Sequence, residues 1–191
     1  MDRWKELSQK GNRKHADMEG YNDFNSDLVN LFKCVKYHCP ELQRELSCML
    51  NSRELFEDFK VQYNTRGMTH IQKAARFFML LKTSYGSGRD SFGCIKKNIK
   101  LMKEYLSRIE NRLSGVVIEN KDFEDLIHVY DKTDAFIYLD LPYYGTEKYY
   151  QIQLSEQDHI DYANYYRLST GGFYFLITIV RLLAKCIRNS R

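Results

Sequence analysis

The chain has little of what breaks or staples a fold. Among its 191 residues are two prolines and ten glycines, too few for a long disordered or low-complexity tract. Its five cysteines, Cys34, Cys39, Cys48, Cys94 and Cys186, are odd in number and form no Cys-x-x-Cys pair. That argues against a disulfide framework and leads to the expectation of reduced thiols in a cytoplasmic protein. His38 beside Cys39 is too sparse for a zinc site, so no metal is expected. The longest apolar run, Phe173 to Ala184, is interrupted by Thr178 and Arg181 and is too short and polar to span a bilayer. A buried strand running into a helix suits it better. The first twenty residues are charged and lack an apolar core, so no signal peptide is expected.

What is present reads as globular: 43% of residues are hydrophobic and 28% charged. The length suits one domain with a hydrophobic core of its own. The net charge is +4, and it is unevenly spread. Residues 71–112 hold ten Lys/Arg against three Asp/Glu, and residues 113–160 hold three against ten. The asymmetry fits a basic face for phosphates beside an acidic, ligand-holding half. It equally fits two amphipathic segments whose solvent faces differ in charge.

Residues 1–19 show no clear period. Asn25 or Ser26 can cap a helix carrying Leu28, Leu31, Phe32 and Val35 on one face. Pro40 opens a second helix with Leu42, Leu46, Met49 and Leu50 inward. A short third helix carries Leu55, Phe56 and Phe59, and residues 60–69 read as a polar loop. Ile71 to Thr83 has the spacing of a buried helix. Ser84 to Gly93 is a loop, because its glycines and serines break any period. A basic helix runs from about Lys96 to Leu113, with Ile99, Met102, Leu106 and Ile109 inward. Then the pattern changes. Val116–Ile118 is a β-branched strand, Asp122 caps a helix with Phe123, Leu126, Ile127 and Tyr130, and Ala135–Leu139 is an apolar strand. Ser155 and Asp158 start a helix that Gly171-Gly172 ends, and Phe173–Ile179 is a third strand. Strands alternating with helices imply parallel pairing and an α/β fold.

In open parallel sheets, ligands sit beyond the carboxyl ends of the strands. The most unusual strand end is Asp140-Leu141-Pro142-Tyr143-Tyr144. A carboxylate there can accept one hydrogen of an exocyclic amine, a neighbouring carbonyl the other, and Tyr143 can stack on a flipped base. The nitrogen lone pair would then face a methyl donor, with catalysis by positioning and electrostatics. A strand followed by an Asx or proline turn, with tyrosines packing locally, explains the same five residues.

FIYLDLPYYGTEKYY resembles motif IV of the Dam-type, or D12 class, DNA adenine N6-methyltransferases, usually written DPPY. YNDFNSDLVNLFK, from Tyr21, is similar to that family's segment after the second strand of its cofactor domain. RLSGVVIENKDFEDLIHVYDKTDAFIYLD resembles its approach to motif IV. QKAARFFMLLKTSYGSGRDSF is like the helix and loop leading into its DNA-recognition region, and LSEQDHIDYANYYRLSTGGF is like the helix after motif IV. The five segments occur in the family's order and cover about residues 20–173.

The resemblance implies an α/β fold: a partial Rossmann-like S-adenosylmethionine-dependent methyltransferase sheet with a helical DNA-recognition insertion. It implies a single methyltransferase-like domain over 1–191, with an atypical 1–20, an insertion at about 60–112 and a catalytic sheet portion at 113–180. Asp140 would be the catalytic acid that also touches the cofactor, with Pro142 and Tyr143 completing the pocket. Asp23 would hold the nucleoside part of S-adenosylmethionine and Asp122 its adenine. Lys82, Ser84, Tyr85, Arg89 and Ser91 lie where the family approaches DNA, and the basic helix adds Lys96, Lys97 and Lys100. Double-stranded DNA is the implied partner, the protein is expected to act as a monomer away from membranes, and restriction–modification is the typical setting.

The chain departs from the family pattern at three places. Residues 1–20 contain only isolated glycines, Gly11 and Gly20, where a glycine-rich turn should lie under the methionine part of the cofactor. Leu141 stands where proline is usual, which keeps the carbonyl but loosens the turn. FLITIVRLLAKCIRNSR replaces a polar segment after the Gly-Phe strand. The family reading is therefore of a member truncated or degenerate at both ends and poorly active on its own. A non-catalytic DNA-binding remnant is the second reading, and a generic α/β fold with no nucleic-acid role the third.

Overall fold

In a computed structural model the described residues are 18–85, 88–94, 98–133, 135–137 and 172–173. They fall into two compact units, one ending at Lys121 and the other beginning at Asp122.

The first unit opens with β1 (Glu19–Asn22), whose only buried side chain is Tyr21. Helix α1 (Ser26–Tyr37) starts where the Asn25 side chain accepts the amides of Asp27 and Leu28, at 3.1 and 3.2 Å. It buries Val29, Leu31, Phe32, Cys34 and Val35. Pro40 sits in the first turn of α2 (Cys39–Ser47), where its missing N–H costs nothing, and Cys39, Leu42 and Leu46 point inward. Ser52 caps α3 (Arg53–Tyr63), which buries Phe56 and Phe59. Gly67, at φ 97°, supplies a left-handed residue in the turn to α4 (His70–Thr83). Thr69 and Gln72 close a reciprocal capping box at the start of α4. Helix α5 (Ile99–Leu113) turns Met102, Leu106, Ile109 and Leu113 inward. The core lies where α1 and α4 meet, with α2, α3 and α5 packed around them.

Strand β2 (Val116–Glu119) then returns to pair with β1 in parallel, Glu19 opposite Val116 and Asn22 opposite Glu119. All five helices form the crossover between these strands. Two side chains fasten the pair to it. Arg112, at the end of α5, reaches the Glu19 carboxylate at 2.6 Å, and Lys36, at the end of α1, donates to the Val116 carbonyl at 2.6 Å. The Tyr21 ring meets Phe32 edge-on, with centroids 5.0 Å apart.

The second unit contains α6 (Phe123–Tyr130), capped by the Asp122 side chain on the Glu124 amide at 3.0 Å. It also contains β3 (Phe136–Ile137), paired in parallel with β4 (Gly172–Phe173). Among the described residues no helix is long and apolar enough to cross a membrane.

Most expected elements are found, and the differences have local causes. β1 was not foreseen from pattern, because Glu-Gly-Tyr-Asn offers one apolar side chain and no alternation. α2 stops at Ser47, so Met49 still tucks in while Leu50 is 68% exposed rather than inward. α3 runs to Tyr63, into the stretch expected to be loop. The expected strands at 135–139 and 173–179 and the start of the basic helix at Lys96 are described only at Phe136–Ile137, at Phe173 and from Asn98 onward. Leu46 and Leu50 give a matched test. Leu46→Ala removes a fully buried side chain and should cost about 2–5 kcal/mol in urea unfolding. Leu50→Ala should stay within about 0.5 kcal/mol, and equal losses in the two variants would contradict the packing of α2.

Candidate functional site

The carboxyl ends of β1 and β2 lie side by side, and their loops are clamped by two asparagines. Asn22 acts as a strand extension: its amide donates to the Lys121 carbonyl at 3.0 Å, and its side-chain oxygen accepts the Lys121 N–H at 2.8 Å. Asn120 returns the arrangement, donating to the carbonyls of Asp23 at 2.7 Å and Phe24 at 3.3 Å. Its own oxygen accepts the Ser26 hydroxyl at 2.9 Å. Each side chain thus satisfies main-chain groups that the strand ladder leaves unpaired. Neither asparagine was singled out in the sequence, where an Asn after a short strand carries no distinct signal.

The clamp fixes the turn holding Asp23. One carboxylate oxygen accepts the Tyr21 hydroxyl at 2.8 Å, and the other accepts the Asn25 amide at 2.8 Å. Burial first, and then the Asp23 charge and hydrogen bond, push the Tyr21 hydroxyl far above its usual pKa, so it stays a donor. Asp23 is only half-buried, and an ionised carboxylate has about four acceptor positions, so two remain for a ligand. Beside it Phe24 is 59% exposed. A carboxylate next to an open aromatic face, at the end of a parallel strand, can accept two hydroxyls and stack a planar heterocycle. Phe24 is a candidate that the sequence reading passed over; its signal was its place directly after Asp23.

Asp122 is exposed and serves as the cap of α6 in the second unit. Asp140, Pro142 and Tyr143 lie outside the described residues.

The second cluster is the loop after α4. An antiparallel bridge between Ser84 and Phe92 closes it, with the Tyr85 amide on the Ser91 carbonyl at 2.9 Å and the Gly93 amide on the Thr83 carbonyl at 2.7 Å. Gly93 lets the two sides of the loop approach closely: a Cβ there would lie 3.1 Å from the Ser84–Tyr85 backbone, a tight contact. Phe92 anchors the base against Phe56 at 5.7 Å, under the Arg53 guanidinium at 5.2 Å. The tip is tied down where Lys60 donates to the Asp90 carbonyl at 2.9 Å.

The expected DNA-facing residues separate on this loop. Tyr85 is 77% exposed and Ser91 is exposed. Lys82 and Ser84 are buried, the Lys82 ammonium lying 5.8 Å from the centre of the Phe78 ring, and neither presents a surface to a duplex in this conformation. Arg89 is half-buried, with its guanidinium 5.1 Å from the centre of the Phe77 ring. Lys96 and Lys97 lie outside the described residues, as does the side chain of Lys100 in the first turn of α5.

A comparison with curated proteins gives no match. A model of the D12 class N6 adenine-specific DNA methyltransferases matches residues 12–171, which take in the Asp23 turn, the loop after α4 and the Asp140 segment. With most of its length covered by that match, the chain belongs to the D12 class N6 adenine-specific DNA methyltransferase family, whose members take the methyl group from S-adenosylmethionine.

Proposed function

We propose that the Asp23 turn is the nucleoside half of an S-adenosylmethionine site, and that the chain directs methyl transfer to N6 of adenine in double-stranded DNA. The observation that carries this reading is the donor set at the end of β1. The half-buried Asp23 carboxylate keeps free acceptor positions for the ribose hydroxyls, and the exposed Phe24 ring offers a face to the adenine. S-adenosylmethionine supplies an electrophilic methyl group on its sulfonium. The chain's residues bind and orient. Asp23 grips the sugar, with the asparagine clamp holding its backbone. Asp122 is assigned to the cofactor's adenine on sequence grounds.

Asp140 is assigned the hydrogen-bond acceptor for the adenine amine and a further cofactor contact. The carbonyl of Leu141 is the second acceptor, Pro142 stiffens the turn, and Tyr143 stacks on the flipped base. Tyr85 and Ser91, with Lys96, Lys97 and Lys100, are assigned to the duplex, where cations act through phosphate neutralisation. We read the chain as a methyltransferase domain of Rossmann-like type, acting as a cytoplasmic monomer. A non-catalytic DNA-binding role is the competing reading. Its support is the sequence of residues 1–20, in which no glycine-rich turn lets backbone approach the methionine end of the cofactor.

Three measurements test these assignments. Asp23→Ala should weaken S-adenosylmethionine binding by about ten-fold or more in calorimetry, the loss of roughly one charge-assisted hydrogen bond. Binding unchanged by Asp23→Ala would remove the nucleoside assignment. The 191-residue chain, given labelled S-adenosylmethionine and unmethylated DNA, should transfer methyl slowly, because in-line placement is the main catalytic term and its donor side is weakly held. Asp140→Ala should abolish what remains. Rapid transfer would show that another segment replaces the glycine-rich turn, and no transfer with intact DNA binding favours the non-catalytic reading. Finally, affinity for duplex should fall steeply with salt, and charge reversal of Lys96, Lys97 and Lys100 should flatten that slope by close to one unit per lost phosphate contact.

A further inference from the structure

Arg89 points away from the role its sequence position suggests. It is one of two non-glycine residues with positive φ among the described residues, at 66°, the other being Cys94. That conformation costs an ordinary residue about 1–2 kcal/mol. The cost is borne where Arg89 lays its guanidinium on the inner ring of Phe77. Phe77 stacks on Tyr63, the last residue of α3, with centroids 5.9 Å apart and planes 23° from parallel. Lys73 covers Tyr63, its ammonium 5.2 Å from the ring centre, and the same ammonium pairs with Asp27 at 3.0 Å. The Tyr63 hydroxyl oxygen is enclosed and meets no partner in hydrogen-bond geometry, yet it is flanked by Asp27 and Arg89. Burial first, and then Asp27, raise its pKa while Arg89 draws it back, so the hydroxyl stays neutral.

Asp27 leads directly to the candidate cofactor turn. Its amide is one of the two held by the Asn25 cap, and the Asn25 amide is held by Asp23 at 2.8 Å. A continuous packed chain therefore runs from the tip of the loop after α4, through Arg89, Phe77, Tyr63, Lys73 and Asp27, to Asn25 and Asp23. Its two ends are the places assigned above to DNA and to S-adenosylmethionine.

We propose that Arg89 and Tyr63 are positioning residues that couple the two sites, so that a duplex held by the loop firms the Asp23 turn and the two ligands bind with positive cooperativity. The proposal rests on the functional reading given above for those sites. Coupling is reciprocal: what the duplex does for the cofactor, the cofactor must do for the duplex. The Tyr63 ring, shared by Phe77 and the Lys73 ammonium, is the middle of that chain, so the link depends on the ring.

The test has an arm without ligands and an arm with them. In the free protein, hydrogen exchange at the amides of Asn25, Asp27 and Leu28 should speed up in Arg89→Ala and in Tyr63→Leu, while amides of α5 around Leu106 stay unchanged. Unchanged exchange at those three amides in both variants would overturn the coupling. With ligands, S-adenosylmethionine should bind the wild-type protein about five-fold or more tightly when a short adenine-containing duplex is present, the low end of typical coupling. Tyr63→Leu should keep each separate affinity within about two-fold and lose the enhancement, and Tyr63→Phe, which keeps the ring, should retain it. Arg89→Gly relieves the backbone without restoring the guanidinium, so it should behave as Arg89→Ala, whereas Arg89→Lys should recover part of the effect. Enhancement retained in Tyr63→Leu or in Arg89→Gly, or lost in Tyr63→Phe, would overturn the proposal. Ligand-free coupling in a protein that binds neither ligand would uphold the chain of contacts and reject the methyltransferase assignment instead.

Discussion

Parallel pairing of β1 with β2 is the constraint from which the remainder of the first unit follows. Two parallel strands cannot be joined by a tight turn, and they need a crossover of about a dozen residues or more. Here that crossover is five helices, so the strands bring together residues far apart in the chain. Both strands then end on the same side, and the Asp23 and Asn120 turns lie next to each other. The helices in between carry their own core. They hold the strands through Tyr21 on Phe32, Arg112 on Glu19 and Lys36 on Val116. Among the described residues the pair has no third strand, and two strands alone have little stability of their own, so these attachments support the site at its carboxyl end.

The helices were legible because most of them bury a stripe with a 3.6-residue period, and some begin with a cap or a proline that the sequence itself offers, as at Asn25 and Pro40. Asn25, Ser52, Thr69 and Asp122 all cap as their side chains allow, and Pro40 sits where a missing donor is harmless. Strand β1 was not legible from pattern, because four residues with one buried side chain have no period to read. It could be placed only through the likeness of the segment from Tyr21 to the family. The same likeness pointed to Asp23, and the geometry adds why that residue is held so firmly. What remained illegible depends on contacts between distant segments: Asn22 with Lys121, Asn120 with Asp23, Lys73 with Asp27. Sequence spacing carries no information about such pairs.

Charge shows the same limit. Counting Lys and Arg over residues 71–112 suggests a uniform basic face, but the cations there do different work. Lys73 and Arg76 pair with Asp27 and Glu45 while covering Tyr63 and Phe59. Lys82 is buried against Phe78, Arg89 lies on Phe77, and Arg112 fastens β1. These contacts are modest singly, about 0.5–1 kcal/mol where exposed and more where water is excluded. Their effect is to fix aromatic rings and loop tips in place. The number of basic residues available to phosphates is therefore smaller than the composition implies. Salt dependence, which counts the contacts made, is a better guide to the DNA face than net charge.

The loop after α4 illustrates how strain and packing balance. Its base is pinned by the Ser84–Phe92 bridge, by Gly93 against the Ser84 backbone and by Phe92 on Phe56. With both ends fixed, the tip must reverse within a few residues, and Arg89 takes the left-handed conformation that glycine would adopt without cost. Strain of this kind persists only where surrounding contacts over-determine it. Those contacts are the Phe77 ring beneath the guanidinium and Lys60 on the next carbonyl. If the arginine served phosphates alone, glycine at that position with cations elsewhere on the loop would meet the need at lower conformational cost. An inward-facing arginine kept against its backbone preference is better explained by the packing it completes, and that packing leads through Tyr63, Lys73 and Asp27 to the Asp23 turn.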